Sequence, residues 1–148
     1  MNLFSVTPMS KLSTPMYGLI FCFLIWPFNS FSDMNIIGQW SGVDSDGDSA
    51  VFVFNEDQSA EVRLEGVPPL TSANIVNGKV EWFSQTDKDP MQLDFIIIKN
   101  SEEIGRIPII AQFLDAQTLI IQMSRDMKSR PVSFELSESV FQIVTSRQ

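Results

Sequence analysis

The chain of 148 residues contains no histidine, and that single absence removes most familiar catalytic chemistry. Imidazole is the usual general base near neutral pH and the commonest metal ligand. Ser-His-Asp and Cys-His arrangements therefore cannot be assembled within this chain. Cysteine occurs once, as Cys22, which excludes an internal disulfide. Basic residues are few, 10 Lys and Arg against 18 Asp and Glu, for a net charge of -8. A phosphate-binding surface needs clustered Lys and Arg, so nucleic acid is not expected as a partner. The acidic balance suits solubility or a basic partner equally well. Missing too is any apolar run of the ~20 residues that a bilayer-spanning helix requires.

The longest apolar run, YGLIFCFLIWPF from Tyr17 to Phe28, follows Lys11 and precedes Asn29-Ser30-Phe31-Ser32. Ser30 and Ser32 supply the small-x-small pattern read by signal peptidases. Residues 1–32 are therefore expected to be a secretory signal peptide cut after Ser32. Residues 33–148 would follow as one domain, secreted or periplasmic, with no stable membrane anchor. Three alternatives stand beside this reading. The stretch before Lys11 is long and uncharged for a signal start, which makes Met9 a second candidate initiator. Leu19-Ile20-Phe21-Cys22 has the leucine and cysteine of a lipobox, although bulky Phe21 stands where a small residue belongs. The third alternative is a signal retained as an uncleaved anchor.

Beyond Asp33 there is no sustained helical period, but two-residue alternation recurs. Val62 and Leu64 face one way while Glu61, Arg63 and Glu65 face the other, the pattern of a half-buried strand. Met91, Leu93, Phe95 and Ile97 repeat it, as do Ile107, Ile109, Ala111 and Phe113. Leu119, Ile121 and Met123 follow, then Val132, Phe134 and Leu136, and Val140 to Thr145 close the series. Asp46-Gly47 and Asn77-Gly78 tolerate positive φ and suit tight hairpins, the second between Ile75-Val76 and Val80–Phe83. Glu56-Asp57 and Glu102-Glu103 are placed at turns. Short strands with such punctuation predict an all-β fold, a compact, mainly antiparallel barrel of about eight to ten strands. Ile96, Ile98, Ile110 and Leu114 put apolar groups on the second face as well. They imply either a covering loop or an outer patch that meets a partner.

Gly38-Gln39-Trp40 at the start of the first strand resembles the Gly-x-Trp motif of lipocalin and calycin barrels. There the indole closes the barrel floor and a basic side chain from near the last strand packs over it. Arg147 or Arg130 is implied for that part here. Asp89-Pro90, Leu93-Asp94-Phe95, Gly105, the run from Ile110 to Leu119, and Arg130-Pro131 with Phe134 resemble a group of small bacterial lipocalin-like domains. The resemblance implies a barrel and names no ligand.

Candidate sites are correspondingly modest. Trp40, Trp82, Phe95, Phe113 and Phe134, with Phe52 and Phe54, are the aromatic stock that would either line an apolar cavity or fill the barrel. Arg125, Lys128 and Arg130 form the one basic cluster, placed to grip an anion or an acidic partner surface. Asp44-Ser45-Asp46-Gly47-Asp48 looks at first like a calcium loop, but glycine falls fourth rather than sixth and Asn55 occupies the twelfth place. A solvated hairpin turn is the better reading. No catalytic residue, metal or cofactor is expected. The function expected is that of a monomeric binding protein, its partner an unknown small apolar ligand or a protein. The alternative is an inhibitor or immunity-type protein that blocks an enzyme, with Arg125–Arg130 or Gly66-Val67-Pro68-Pro69-Leu70 as the binding loop.

Overall fold

The computed structural model describes residues 34–148; the expected signal segment, with Cys22 and Met9, lies outside the described residues. Eight strands follow in order: β1 (Gly38–Asp44), β2 (Ser49–Phe54), β3 (Ala60–Leu64), β4 (Gly78–Gln85), β5 (Met91–Lys99), β6 (Glu102–Asp115), β7 (Thr118–Ser124) and β8 (Val140–Arg147). All pairings are antiparallel, and their spatial order is β3-β2-β1-β8-β7-β6-β5-β4. Every strand but β3 therefore pairs with its successor in the chain, and β1 returns to β8. This is an up-and-down meander rolled into a barrel.

Closure is incomplete only between β3 and β4. A bridge at Ser59 and Glu81 joins them, and the Trp82 amide donates to the Gln58 carbonyl at 2.9 Å. The rest of the β3 edge is not left open. Val62 and Leu70 exchange two backbone hydrogen bonds, of 2.9 and 2.8 Å, so the loop after β3 folds back as a substitute neighbour. Unpaired strand edges invite association with other chains, and this edge is capped from within.

Alternation decides which side chains fill the interior. Ala50, Phe52 and Phe54 of β2 are buried, as are Leu93 and Phe95 of β5 and Leu119, Ile121 and Met123 of β7. Phe95 lies at the centre, stacked on Phe52 at 6.0 Å and on Phe54 at 5.6 Å between ring centroids. Trp82 meets Phe54 edge-on at 5.6 Å, and Trp40 meets Phe113 at 5.9 Å. Aromatic rings bury large areas and prefer such offset or edge contacts. The interior is filled by its own side chains.

The Trp40 end carries a second feature. The indole N–H donates to the Ile36 carbonyl at 2.7 Å, and the Arg147 guanidinium lies over the ring at 4.7 Å. Of the two arginines implied for this role, Arg147 fills it. Arg130 goes elsewhere.

Turn chemistry follows the sequence in part. Gly47 takes φ +94 in the β1–β2 turn, where the Asp44 carboxylate accepts the Asp46 and Asp48 amides at 2.8 and 2.9 Å. Asn77 takes φ +55 before β4, but the strand expected at Ile75-Val76 is absent: a short 3-10 turn, Ser72–Asn74, leads there instead. Glu102 and Glu103 lie within β6 rather than at a turn. The β5–β6 hairpin turns two residues earlier on Asn100 and Ser101, both at positive φ. The strand expected over Val132, Phe134 and Leu136 is also absent. Residues 130–139 form an irregular strap over the outer wall of the barrel, held mainly by side chains rather than by a neighbouring backbone.

Candidate functional site

The loops gather at one pole of the barrel. Arg125, just after β7, pairs with Asp46 of the β1–β2 turn at 2.7 Å and lies over the Phe141 ring at 4.1 Å. Glu65, just after β3, accepts both the amide and the hydroxyl of Ser49 at 2.9 Å. Those two donors hold its carboxyl below the ordinary range, the amide contributing most. The sequence segments Gly66–Leu70 and Arg125–Arg130 thus meet at the same pole, although some 60 residues separate them. Beneath them lies an apolar cavity of about 30 Å³. Its walls are Val62, Leu64, Phe95, Ile107 and Met123 from the strands and Val67, Pro68, Leu70 and Met127 from the loops. That volume admits a water or two and no organic ligand.

The Arg125–Arg130 loop is internally locked. Asp126 accepts the Lys128 and Ser129 amides at 2.8 and 3.0 Å and the Ser129 hydroxyl at 2.8 Å. The Lys128 amide leads the Ser129 amide and hydroxyl in holding this carboxyl well below the usual aspartate range. Because the folded value is depressed, the loop's contribution is present above the unfolded aspartate range and is lost as pH falls through the folded value. In a proton-detected NMR titration, Asp126 is expected to titrate well below a peptide aspartate. The Lys128 and Ser129 amide shifts should move with it; a midpoint at the peptide value would show that the turn is open in solution.

The three basic residues do not form a cluster. Arg125 faces the β1–β2 turn and Lys128 is exposed at the pole. Arg130 reaches along the outer wall to Asp94 and donates to the Leu93 and Ile109 carbonyls at 3.2 and 2.5 Å. Asp94 also receives Arg106 at 2.7 Å, and Arg106 is held in turn by Glu103 at 2.9 Å. Those two carboxylates, Glu103 first, raise the Arg106 guanidinium above its already high range. Asp94 is only 7 % exposed although it points outward. This ion network was missed in the sequence. Its visible signal was a carboxylate between Leu93 and Phe95, two residues that face the barrel interior.

Gln122 and Gln142 complete the strap's attachment. Gln122 donates to the Ser133 carbonyl at 2.7 Å, and Gln142 donates to Phe134 and to Gln122, each at 3.0 Å. Two open clefts flank the strap, of about 240 Å³ beside Lys88 and Ile110 and about 330 Å³ beside Ser124 and Leu136. Ile110 is 1 % exposed beside Pro131, so the covering-loop reading of the two-faced strands holds there, while Leu114 remains 53 % exposed.

Of the aromatic candidates, Trp40 and Phe95 are fully buried in the barrel, with Trp82 and Phe113 partly buried against the same core. Phe134 lies on the strap and does not join them. In the Asp44–Asp48 turn the Asp44 carboxylate is committed to the loop's own amides and the Asp46 carboxylate to Arg125. Compared with known proteins, the chain matches no family model, no curated protein and no solved structure.

Proposed function

We propose that this is an exported, non-enzymatic binding protein, and that it recognises another protein through the loop pole of a solid barrel. The observation that carries the reading is the aromatic filling of the interior: Phe52, Phe54 and Phe95 stack where a ligand would lie, and the apolar cavity beneath the pole loops measures only about 30 Å³. A small-molecule site inside the barrel needs several hundred Å³. The pole supports the same reading, because its loops are ordered before any partner arrives. Arg125 to Asp46, Glu65 to Ser49 and the Asp126 turn fix three loops, and adjacent Pro68 and Pro69 stand exposed between them. Ordering paid in advance leaves more of the contact energy as affinity. A rigid projecting loop on a solid scaffold is also what an inhibitor of an enzyme needs, and the acidic balance suits a basic target. Kinship with lipocalin-like barrels belongs to the same proposal; the meander order and Arg147 over Trp40 support it.

One observation favours a second reading. The cavity wall is wholly apolar, and lifting the loop that carries Val67, Pro68 and Leu70 would open it to a small apolar ligand. Photocrosslinking in the producing cells separates the two. A photoreactive residue at Val67 should capture one stoichiometric protein, whereas the same group at Gln117, at the opposite pole, should not. A small apolar molecule retained in native mass spectrometry, with no protein captured from Val67, would replace the first reading by the second.

A further inference from the structure

The outer wall of the barrel is divided by charge. On β3 it carries the pair Glu61–Arg63, on β4 Lys79–Glu81, and on β5 and β6 the Asp94–Arg106–Glu103 network. Over β2, β1, β8 and β7 the outward positions hold no charged residue; they are Ser, Thr, Gln, Val and Ile. Val43 lies opposite Val144, and Val144 opposite Ile120, so three strands share one apolar row. On β2 the row ends at Ser49, opposite Val43, with half-buried Val51 and Val53 beside it, opposite Ser41 and Gln39. Val43 is 56 % and Val144 47 % exposed. In an antiparallel sheet with one wet face, outward positions ordinarily alternate to polar side chains. The strap does not relieve this exposure: it covers Gln122, Gln142 and Ile110 and leaves the valines bare.

We propose that this uncharged face is a contact between two copies of the chain. The charge distribution selects that occupant. With a net charge of -8, two copies repel one another over most of their surface. The valine face is where they can approach without opposing carboxylates. A two-fold contact sets a patch against itself, and a neutral Val and Ile row is self-complementary in a way that a charged row is not. A basic partner would be drawn to the acidic surfaces instead. The row spans three strands, roughly 10–15 Å across at ~4.8 Å spacing. On a curved wall this is smaller than the ~800 Å² per partner of a standard interface, so the dimer is weak and concentration-dependent. Salt, by screening the repulsion between acidic bodies, strengthens it.

Sedimentation equilibrium on the purified protein from about 10 to 500 µM tests this. The expected result is a mass rising from one chain toward two, earlier in 0.5 M than in 0.05 M NaCl. Val144→Lys places like charges face to face and should raise the half-association concentration on the order of 100-fold. Val144→Thr, close in shape and able to stay folded, should raise it less. Val132→Lys on the strap should leave it unchanged. A single-chain mass at every concentration would overturn the proposal, as would a dimer that Val144→Lys, still folded by circular dichroism, does not weaken.

Discussion

Phe95→Ala is expected to cost the barrel about 3–5 kcal/mol, as for other large-to-small changes at fully buried aromatic positions. The side chain is 0 % exposed and stacks on both Phe52 and Phe54, so its removal breaks the central contacts of the core rather than trimming its rim. It also borders the apolar space beneath the pole loops. The deletion should therefore join the existing gap to a new void on the order of 100 Å³, large enough for a small apolar guest. Urea unfolding with and without dissolved benzene reads both effects. The midpoint should fall sharply, and benzene should recover part of the loss in the variant while leaving the parent unchanged. If the variant keeps the parent midpoint, the stacked core is not what holds the barrel closed.

Asp94→Ala is the second large effect, expected at about 2–4 kcal/mol. Removing one partner of a mostly buried ion pair leaves the remaining charge uncompensated, and here two guanidinium groups lose the same acceptor. The upper end is tempered because the Arg130 side chain is 26 % and the Arg106 side chain 42 % exposed, where water offers partial replacement. Asp94→Asn, which keeps one acceptor oxygen, should cost about half as much. The location of the damage matters more than its size. Limited proteolysis should cut faster within residues 130–136, which Arg130 pins to the wall, and leave β1 and β2 intact. Uniform loosening of the whole barrel would show that Asp94 supports the core and not the strap.

Much of the fold was legible because a barrel wall is alternation made visible. Val62 and Leu64, Leu93 to Ile97, and Leu119 to Met123 read as strands from their period alone and lie where that period places them. Gly47 marked its turn because the backbone there needs positive φ. The β5–β6 turn carried no glycine, and Asn100 with Ser101 at positive φ was invisible to a search for Asn-Gly or Asp-Gly pairs. Val132, Phe134 and Leu136 show the opposite failure. Their alternation is present, but a strand also needs a neighbour's main chain, and side-chain amides from Gln122 and Gln142 occupy those carbonyls instead. Nothing in a sequence period separates the two cases. The same holds for the basic residues: Arg125, Lys128 and Arg130 are close in the chain, yet the loop turns at Asp126, aims Arg125 and Arg130 at unrelated carboxylates and leaves Lys128 exposed.

The return of β1 to β8 has a kinetic side. Hairpins such as β5–β6 and β6–β7 join residues near in sequence and can zip soon after their turns form. The pairing of Trp40 with Arg147 joins almost the two ends of the described chain, and it must wait until the intervening strands have drawn them together. Arg147 reaches its place over the indole only at that moment. Quenching of Trp40 should therefore be among the last signals of refolding, on the millisecond-to-second scale of proteins dominated by distant contacts. Until that clasp is made, β1 and β8 are two unpartnered edges, and refolding at high concentration will lose material to strangers at those edges first.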